Sequence, residues 1–500
     1  MRSIFFDFSR GWLTAGRARS LAAAAVLLVL SGCAMVGPDY SPVAPDAPDA
    51  WHTKLAGGLV AGPPAPETLA RWWKVFNDPQ LETLEMRAVA GSLSLKEARA
   101  RVREARALRG ISRAQLFPTL DANVAVSRQR SSENSGTGRE SDLYQAGFDA
   151  GWELDVFGGL RRAVEAAQAN LEASRENLHD VLVSLMAEVA LNYLDVRTFQ
   201  ARLVAVRKNV AAQQETYELN RSRYQAGLID ALAVQESLRV LESSRAVIPG
   251  LETGLEAAKN RLAVLLGDKP GTLHPELAAR RPIPVPPVAI SVGVPAEALR
   301  RRPDIRRAER ELAAQTARIG VATADLYPKF RLFGSIGLES VDSGKWLEWA
   351  SRTWHIGPSV SWNIFDAGAI RQNIKVQDAR QEQALVRYEA TVLNALEEVE
   401  NALVAYIKEQ RRRESLIKAE AAAKQADMLA KDQYNSGLVP FNNVLDAQRA
   451  LVLLEDERAQ SEGKVTANLV RLYKALGGGW TSAAAEKPGG RPGKSAGYAK

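Results

Sequence analysis

The chain has 500 residues, of which 46% are apolar and 25% charged, enough material for more than one hydrophobic core. Its net charge of +7 sits at the ends: residues 1–32 and 481–500 carry +3 each, so the remainder is nearly neutral and makes no electrostatic case for nucleic acid binding. His52, His179, His274 and His355 lie far apart, and there is no metal-ligand spacing, phosphate loop, Gly-x-Ser-x-Gly elbow or His-Glu-x-x-His. No cofactor, metal or catalytic site is expected, and the chain does not read as an enzyme.

Taken in order, Arg2, Arg10, Arg17 and Arg19 precede an apolar run at 21–30, too short to span a bilayer as a helix and suited to a secretory signal; residues 1–32 read as a signal peptide. The run ends in Leu30-Ser31-Gly32-Cys33, which resembles a bacterial lipobox, in which the cysteine is lipidated and becomes the mature first residue. The alternative is a chance cysteine beside a conventional cleavage site. Cys33 is the only cysteine, so an internal disulfide is excluded. Ala34 follows, not the aspartate associated with inner-membrane retention, and the resemblance therefore favours the outer membrane. Residues 33–66, rich in Pro, Ala and Gly, read as an extended, lipidated strap. Residues 67–93 read as a short helical segment docked through Trp72, Trp73 and Phe76.

Two tandem repeats follow, 94–269 and 297–480, offset by 210 residues and joined by a proline-rich linker at 270–296. Each opens with a helix, at 94–117 and 304–327, closed by Pro118 or Pro328, after which the hydrophobic period changes to two. Leu120, Ala122, Val124 and Val126 alternate with polar neighbours, a polar loop covers 128–142, and Tyr144, Ala146, Phe148, Ala150, Trp152 and Leu154 share one face on the return. The hairpins span 119–156 and 329–365. Strands of about ten residues match the 9 to 11 that cross an outer membrane. Four of them cannot close a barrel, and a membrane sheet tolerates no free edge, so several chains must contribute to one barrel. Trp152, Trp354 and Trp362 fit an interfacial girdle. A soluble sandwich with one solvated face is the alternative.

Residues 160–226 and 369–436 contain neither glycine nor proline, so each supports a helix of about 100 Å. Leu182, Val189, Val196, Leu203 and Val210 recur every seven residues, with Leu178, Leu185, Phe199 and Val206 between them; Val392, Leu396, Val399, Leu403 and Tyr406 repeat the pattern, predicting coiled coils. The helices stop at Tyr224-Gln-Ala-Gly227-Leu228 and Tyr434-Asn-Ser-Gly437-Leu438, giving tips at 224–236 and 434–446. Return helices run over about 230–266 and 441–476, and Pro249-Gly250 is expected to kink the first. The tail, 481–500, reads as disordered.

With the lipobox, Gly-Pro-Asp-Tyr at 37–40, Trp-Trp at 72–73, Phe-Asn-Asp-Pro at 76–79, Arg-Arg-Pro-Asp-Ile at 301–305, the two Tyr-x-x-Gly-Leu tips and Leu-Asp-Ala-Gln-Arg at 445–449, the chain resembles the TolC-like outer membrane efflux factors. That resemblance implies an α+β fold and a homotrimer, with a twelve-stranded β-barrel in the outer membrane lipid continued by a periplasmic helical coiled-coil barrel. It implies a passive exit duct for drugs or other small toxic compounds, serving a periplasmic adaptor (membrane fusion) protein and an inner-membrane RND-type transporter. Metal-ion efflux, type I protein secretion and a non-conducting scaffold are the alternatives. Asp446 matches the family position of an acidic ring at the closed tip, and Glu236 is its counterpart in repeat one; the alternative for either is a solvated helix carboxylate. Three copies of such a carboxylate would attract cations and repel one another. Tyr224 and Tyr434 either bond neighbouring coils or merely pack. Gly227 and Gly437 would supply the turns and, with Leu228 and Leu438, contact the adaptor. Gln433 departs from an arginine that locks the tip in some relatives.

Overall fold

The computed structural model describes residues 35–63, 65–287 and 289–480. The expected signal peptide, Cys33 and the tail lie outside the described residues. In chain order the elements begin with β1 (Leu59–Val60), α1 (Pro66–Ala70), a 3-10 turn (Trp72–Phe76), α2 (Pro79–Gly91) and α3 (Leu93–Ala114). The first hairpin is β2 (Thr119–Arg130) and β3 (Glu140–Leu154), followed by α4 (Gly159–Gln225) and α5 (Ala231–Leu266). Then come β4 (Ile290–Ser291), α6 (Pro295–Arg301), α7 (Pro303–Ala324), β5 (Lys329–Ser340), a 3-10 turn (Trp349–Ser351), β6 (Arg352–Ser361), α8 (Ala369–Asn435) and α9 (Phe441–Ala475). Among these, no helix is long and apolar enough to cross a membrane.

Two compact units result, and each draws on both repeats: one takes the chain to Val43, Val102–Ala173 and Ala308–Tyr388, the other Ala44–Arg101, Ser174–Arg307 and the chain from Glu389.

The first unit holds one antiparallel sheet in the order β2-β3-β5-β6. Its alternation sorts the faces: Ala122, Phe148, Ile336 and Trp354 stand in one cross-strand row, and Asn123, Gly147, Gly337 and Thr353 in the next, on the opposite face. A Cβ on Gly337 would lie 2.5 Å from the carbonyl oxygen of Ala146, so glycine is required there. The strands run further than the sequence suggests. Arg128 bonds Glu140 across the ladder at 2.8 Å, which extends pairing into the expected loop and shortens it to 131–139. Trp152 and Trp362, expected in a girdle, also make local ties. Their Nε1 atoms donate to the carbonyls of Leu116 and Leu326 at 2.9 and 3.0 Å, tying each hairpin to the corner that precedes it.

The strap is clamped at this unit by Arg162, almost wholly buried, which donates to the Val36 carbonyl at 3.1 Å and to Asp39 at 2.7 Å while pairing with Glu165. Gly37 has φ +86° and packs so closely on Gly320 that a Cβ would sit 2.4 Å from its Cα. Tyr40 donates to Glu309 at 3.1 Å.

In the second unit the expected helical segment 67–93 is broken. Asn77 adopts a left-handed conformation (φ 49°) and ends the 3-10 turn; Asp78 then caps α2, accepting from the backbone of Gln80 and Leu81, with Pro79 at its first position. Trp72 is fully buried and stacks on Tyr473 at 5.7 Å, as its docking role requires. Buried Arg197 ties this region together, donating to Gln80, to Gln200 at 2.6 Å and to the Ala279 carbonyl at 2.9 Å. The Arg-Arg-Pro-Asp-Ile motif has a physical reading: Arg302 pairs with Asp304 and Glu398 and donates at 2.8 Å to the carbonyl of Ala475, the last residue of α9. The strap continues here through Thr53, which donates to Glu400, and through β1, which pairs in parallel with β4 of the linker.

Pro249, where a kink is expected, lies inside the return helix α5, which continues on both sides of it. Its Gly254 accommodates Phe199 of α4, and Gly463 of α9 accommodates Thr198; a Cβ at either site would overlap those side chains, at 2.5 and 2.1 Å. The glycines thus mark close helix approaches.

Candidate functional site

Both long helices end in the same hydrogen-bonding pattern. Leu228 N–H donates to the Arg223 carbonyl and Gly227 N–H to that of Tyr224, both at 2.9 Å; Leu438 and Gly437 repeat this with Gln433 and Tyr434 at 2.9 and 3.0 Å. This is a Schellman closure, which needs a left-handed residue, and Gly227 and Gly437 supply φ of +74° and +73°. Leucines at the next position usually fold back on the helix. Here Leu228 and Leu438 are 73% and 75% exposed.

The two tips meet through a small apolar core in which Ala233 and Val240 of α5 pack with Phe441, Val444 and Leu445 of α9, and Tyr434 lies against it. The tyrosines are not equivalent. Tyr434 donates to Oδ1 of buried Asn220 at 3.3 Å, its ring is 5.2 Å from that of Phe441, and the Arg223 guanidinium lies 5.1 Å from its centroid. Arg223 also donates to Asn435 at 3.3 Å. Tyr224 is half exposed, and its hydroxyl makes no hydrogen bond among the described residues.

Towards the tip the buried seam of α4 changes character. Leu203 and Val206 are apolar, but Asn209, Gln213 and Asn220, equally buried, are amides. Asn209 donates to Glu455 at 2.8 Å, and Gln448 to Thr216 at 3.4 Å. Between α4, α8 and α9 lies a cavity of about 170 Å³ whose lining includes Gln213, Asp427 and Lys431. Gln213 Oε1 and Asp427 Oδ1 are buried there without a protein partner, while the other Asp427 oxygen accepts from Lys431 at 2.7 Å. The signal for this was present: the register Leu178, Leu185, Phe199, Val206 continues at seven-residue steps to Gln213 and Asn220. A search for apolar recurrence alone passes over its polar members.

The carboxylates stand apart from the clasp. Asp446 is exposed, with Arg449 of the next turn 3.4 Å away, and Glu236 is partly exposed without an ion-pair partner among the described residues. One chain brings Tyr434, Arg223 and Asn220 together and leaves Asp446, Glu236 and the two leucines open.

The model of the outer membrane efflux protein family matches residues 86–268 and 294–478. Nodulation protein T of Rhizobium leguminosarum bv. trifolii is 31% identical over 459 residues, covering 91% of this chain and 97% of that protein. Outer membrane protein OprJ of Pseudomonas aeruginosa is 33% identical over 461 residues, covering 91% and 95%. The solved outer-membrane channel OprN superposes with a TM-score of 0.83 at 36% identity, over 89% of this chain and 99% of that one.

Proposed function

The chain belongs to the outer membrane efflux protein family, and from that premise we propose that it is the passive exit duct of a tripartite pump for small toxic compounds, gated where its two tips meet. As a family member it spans the outer membrane, extends into the periplasm and is not an enzyme. The observation that carries the gating reading is the clasp of Arg223 and Asn220 on Tyr434, set beside a seam of amides. Polar contacts of this kind are specific yet exchange readily with water, so parting them costs less than parting leucines.

Three copies would form the duct. The sheet has one unpaired edge on β2 and one on β6 within the chain, and twelve strands from three copies would close both. Asp446, exposed on α9, would then form an acidic ring, with Glu236 as a weaker contributor. Leu228 and Leu438, with the backbone of Gly227 and Gly437, present an apolar, side-chain-poor end for an adaptor, which in turn engages an inner-membrane transporter. Cys33 would carry the lipid anchor.

Deletion of the gene, with a panel of drugs, dyes and metals, tests this reading together with co-purification of the adaptor. Sensitivity to organic toxicants, rescued by the wild-type chain, is the expected result. Unchanged sensitivity throughout, with no adaptor recovered, would contradict it.

A further inference from the structure

The basic residues of the sheet are not alike. Arg128, Arg130, Lys329 and Arg331 each face a carboxylate: Glu140, Glu133, Asp325 and Glu153, at 2.8, 3.3, 2.9 and 3.2 Å. Arg352, the first residue of β6, has no carboxylate partner among the described residues. Its guanidinium instead lies 4.4 Å from the Trp349 ring centroid and donates to the Trp349 carbonyl at 3.4 Å.

Its position gives this meaning. Arg352 is in register with Leu338 and, across β3 and β2, with Ala146 and Val124, so it stands on the apolar face, beside the loop that joins β5 to β6. Below it on that face, away from the loop, come Trp354, Ile336 and Phe148. Small Ala146 between larger neighbours leaves a depression of about 660 Å³, walled by Phe148, Ile336 and Trp354 and overhung by Trp349. A protein of the outer membrane turns this face to lipid, where an unneutralised cation is costly unless it reaches an anion at headgroup level. Tryptophans belong at that level.

We propose that this depression binds an anionic, phosphorylated lipid of the outer leaflet, with one acyl chain against Phe148, Ile336 and Trp354 and a phosphate on Arg352. Arginine suits a phosphate because its planar fork donates two parallel hydrogen bonds. The inference rests on residence in the outer membrane and is independent of tip gating.

The full-length protein, assembled in phosphatidylcholine nanodiscs doped with lipid A, is examined by native mass spectrometry after partial delipidation. The wild type should retain lipid A in preference to phosphatidylcholine, and excess inorganic phosphate should not displace it. Arg352→Gln should weaken retention at least about tenfold, the worth of a charge-assisted pair, and Arg352→Lys should restore part of it. Ala146→Trp, which fills the depression and leaves Arg352 in place, should also abolish preference. Equal retention by wild type and both disabling variants, each shown to be assembled by heat-resistant migration, would reduce the lipid to an unselective annulus and overturn the proposal. Loss with Arg352→Gln but not with Ala146→Trp would overturn the acyl seat.

Discussion

Arg223 of the first repeat holds Tyr434 of the second, its guanidinium 5.1 Å from the ring, and also donates to Asn435. Arg223 is the 210-residue counterpart of Gln433, the position that departs from the arginine of some relatives. An arginine thus stands at the corresponding position of the opposite arm, and its contacts with Tyr434 and Asn435 lie within one chain. Arg223→Ala should loosen the last turns of both long helices, removing about 1 kcal/mol of cation–π and hydrogen-bond energy. Hydrogen exchange over 218–226 and 430–438 should quicken while the sheet is unaffected.

The amide seam gives a prediction of opposite sign. Gln213 Oε1 is buried without a protein partner, so Gln213→Leu should stabilise the helical unit by about 1 kcal/mol. It should also hold the tips closed more firmly. Denaturant melts of purified protein check the first effect, and drug susceptibility of cells carrying the variant the second; a destabilised helical unit would count against the seam's role.

Leu228→Ala and Leu438→Ala should leave thermal stability within about 0.5 kcal/mol, because both side chains are already in solvent. Adaptor affinity should fall, measured by titration with the isolated adaptor. A variant that melts early but binds normally would show the leucines to be structural.

Glu85 of α2 supplies a pH dependence. It is fully buried with neither oxygen partnered in the protein, and burial pushes its carboxyl well above the ordinary 4.5. A raised carboxyl means that the folded state keeps a proton the unfolded state has lost. Stability therefore falls as pH climbs from about 4.5 towards the folded value, by about 1.4 kcal/mol per unit, and no such loss applies below 4.5. Glu85→Gln should flatten that part of the profile, raising the melting temperature most at the alkaline end. Parallel profiles for wild type and variant would contradict the assignment.

The sequence exposed what is periodic. The alternation of β2 and β3, the heptads of α4 and the glycine turns at 227 and 437 are local rules, and the 210-residue offset doubled each of them. Contacts between distant segments were not legible: Arg162 on the strap, Arg302 on the end of α9 and Arg223 on Tyr434 join residues 123 or more apart, and no spacing encodes such a pair. The break at Asn77 has no periodic signal either, because a left-handed residue there follows a dense aromatic run.

Single-channel recording in planar bilayers tests the gated duct most directly, comparing the wild type with an Arg223→Ala/Tyr434→Phe double variant. Wild-type currents should be small and cation-preferring, and the variant should show larger or longer openings. A heat-resistant, assembled variant that passes no more current than the wild type would contradict it.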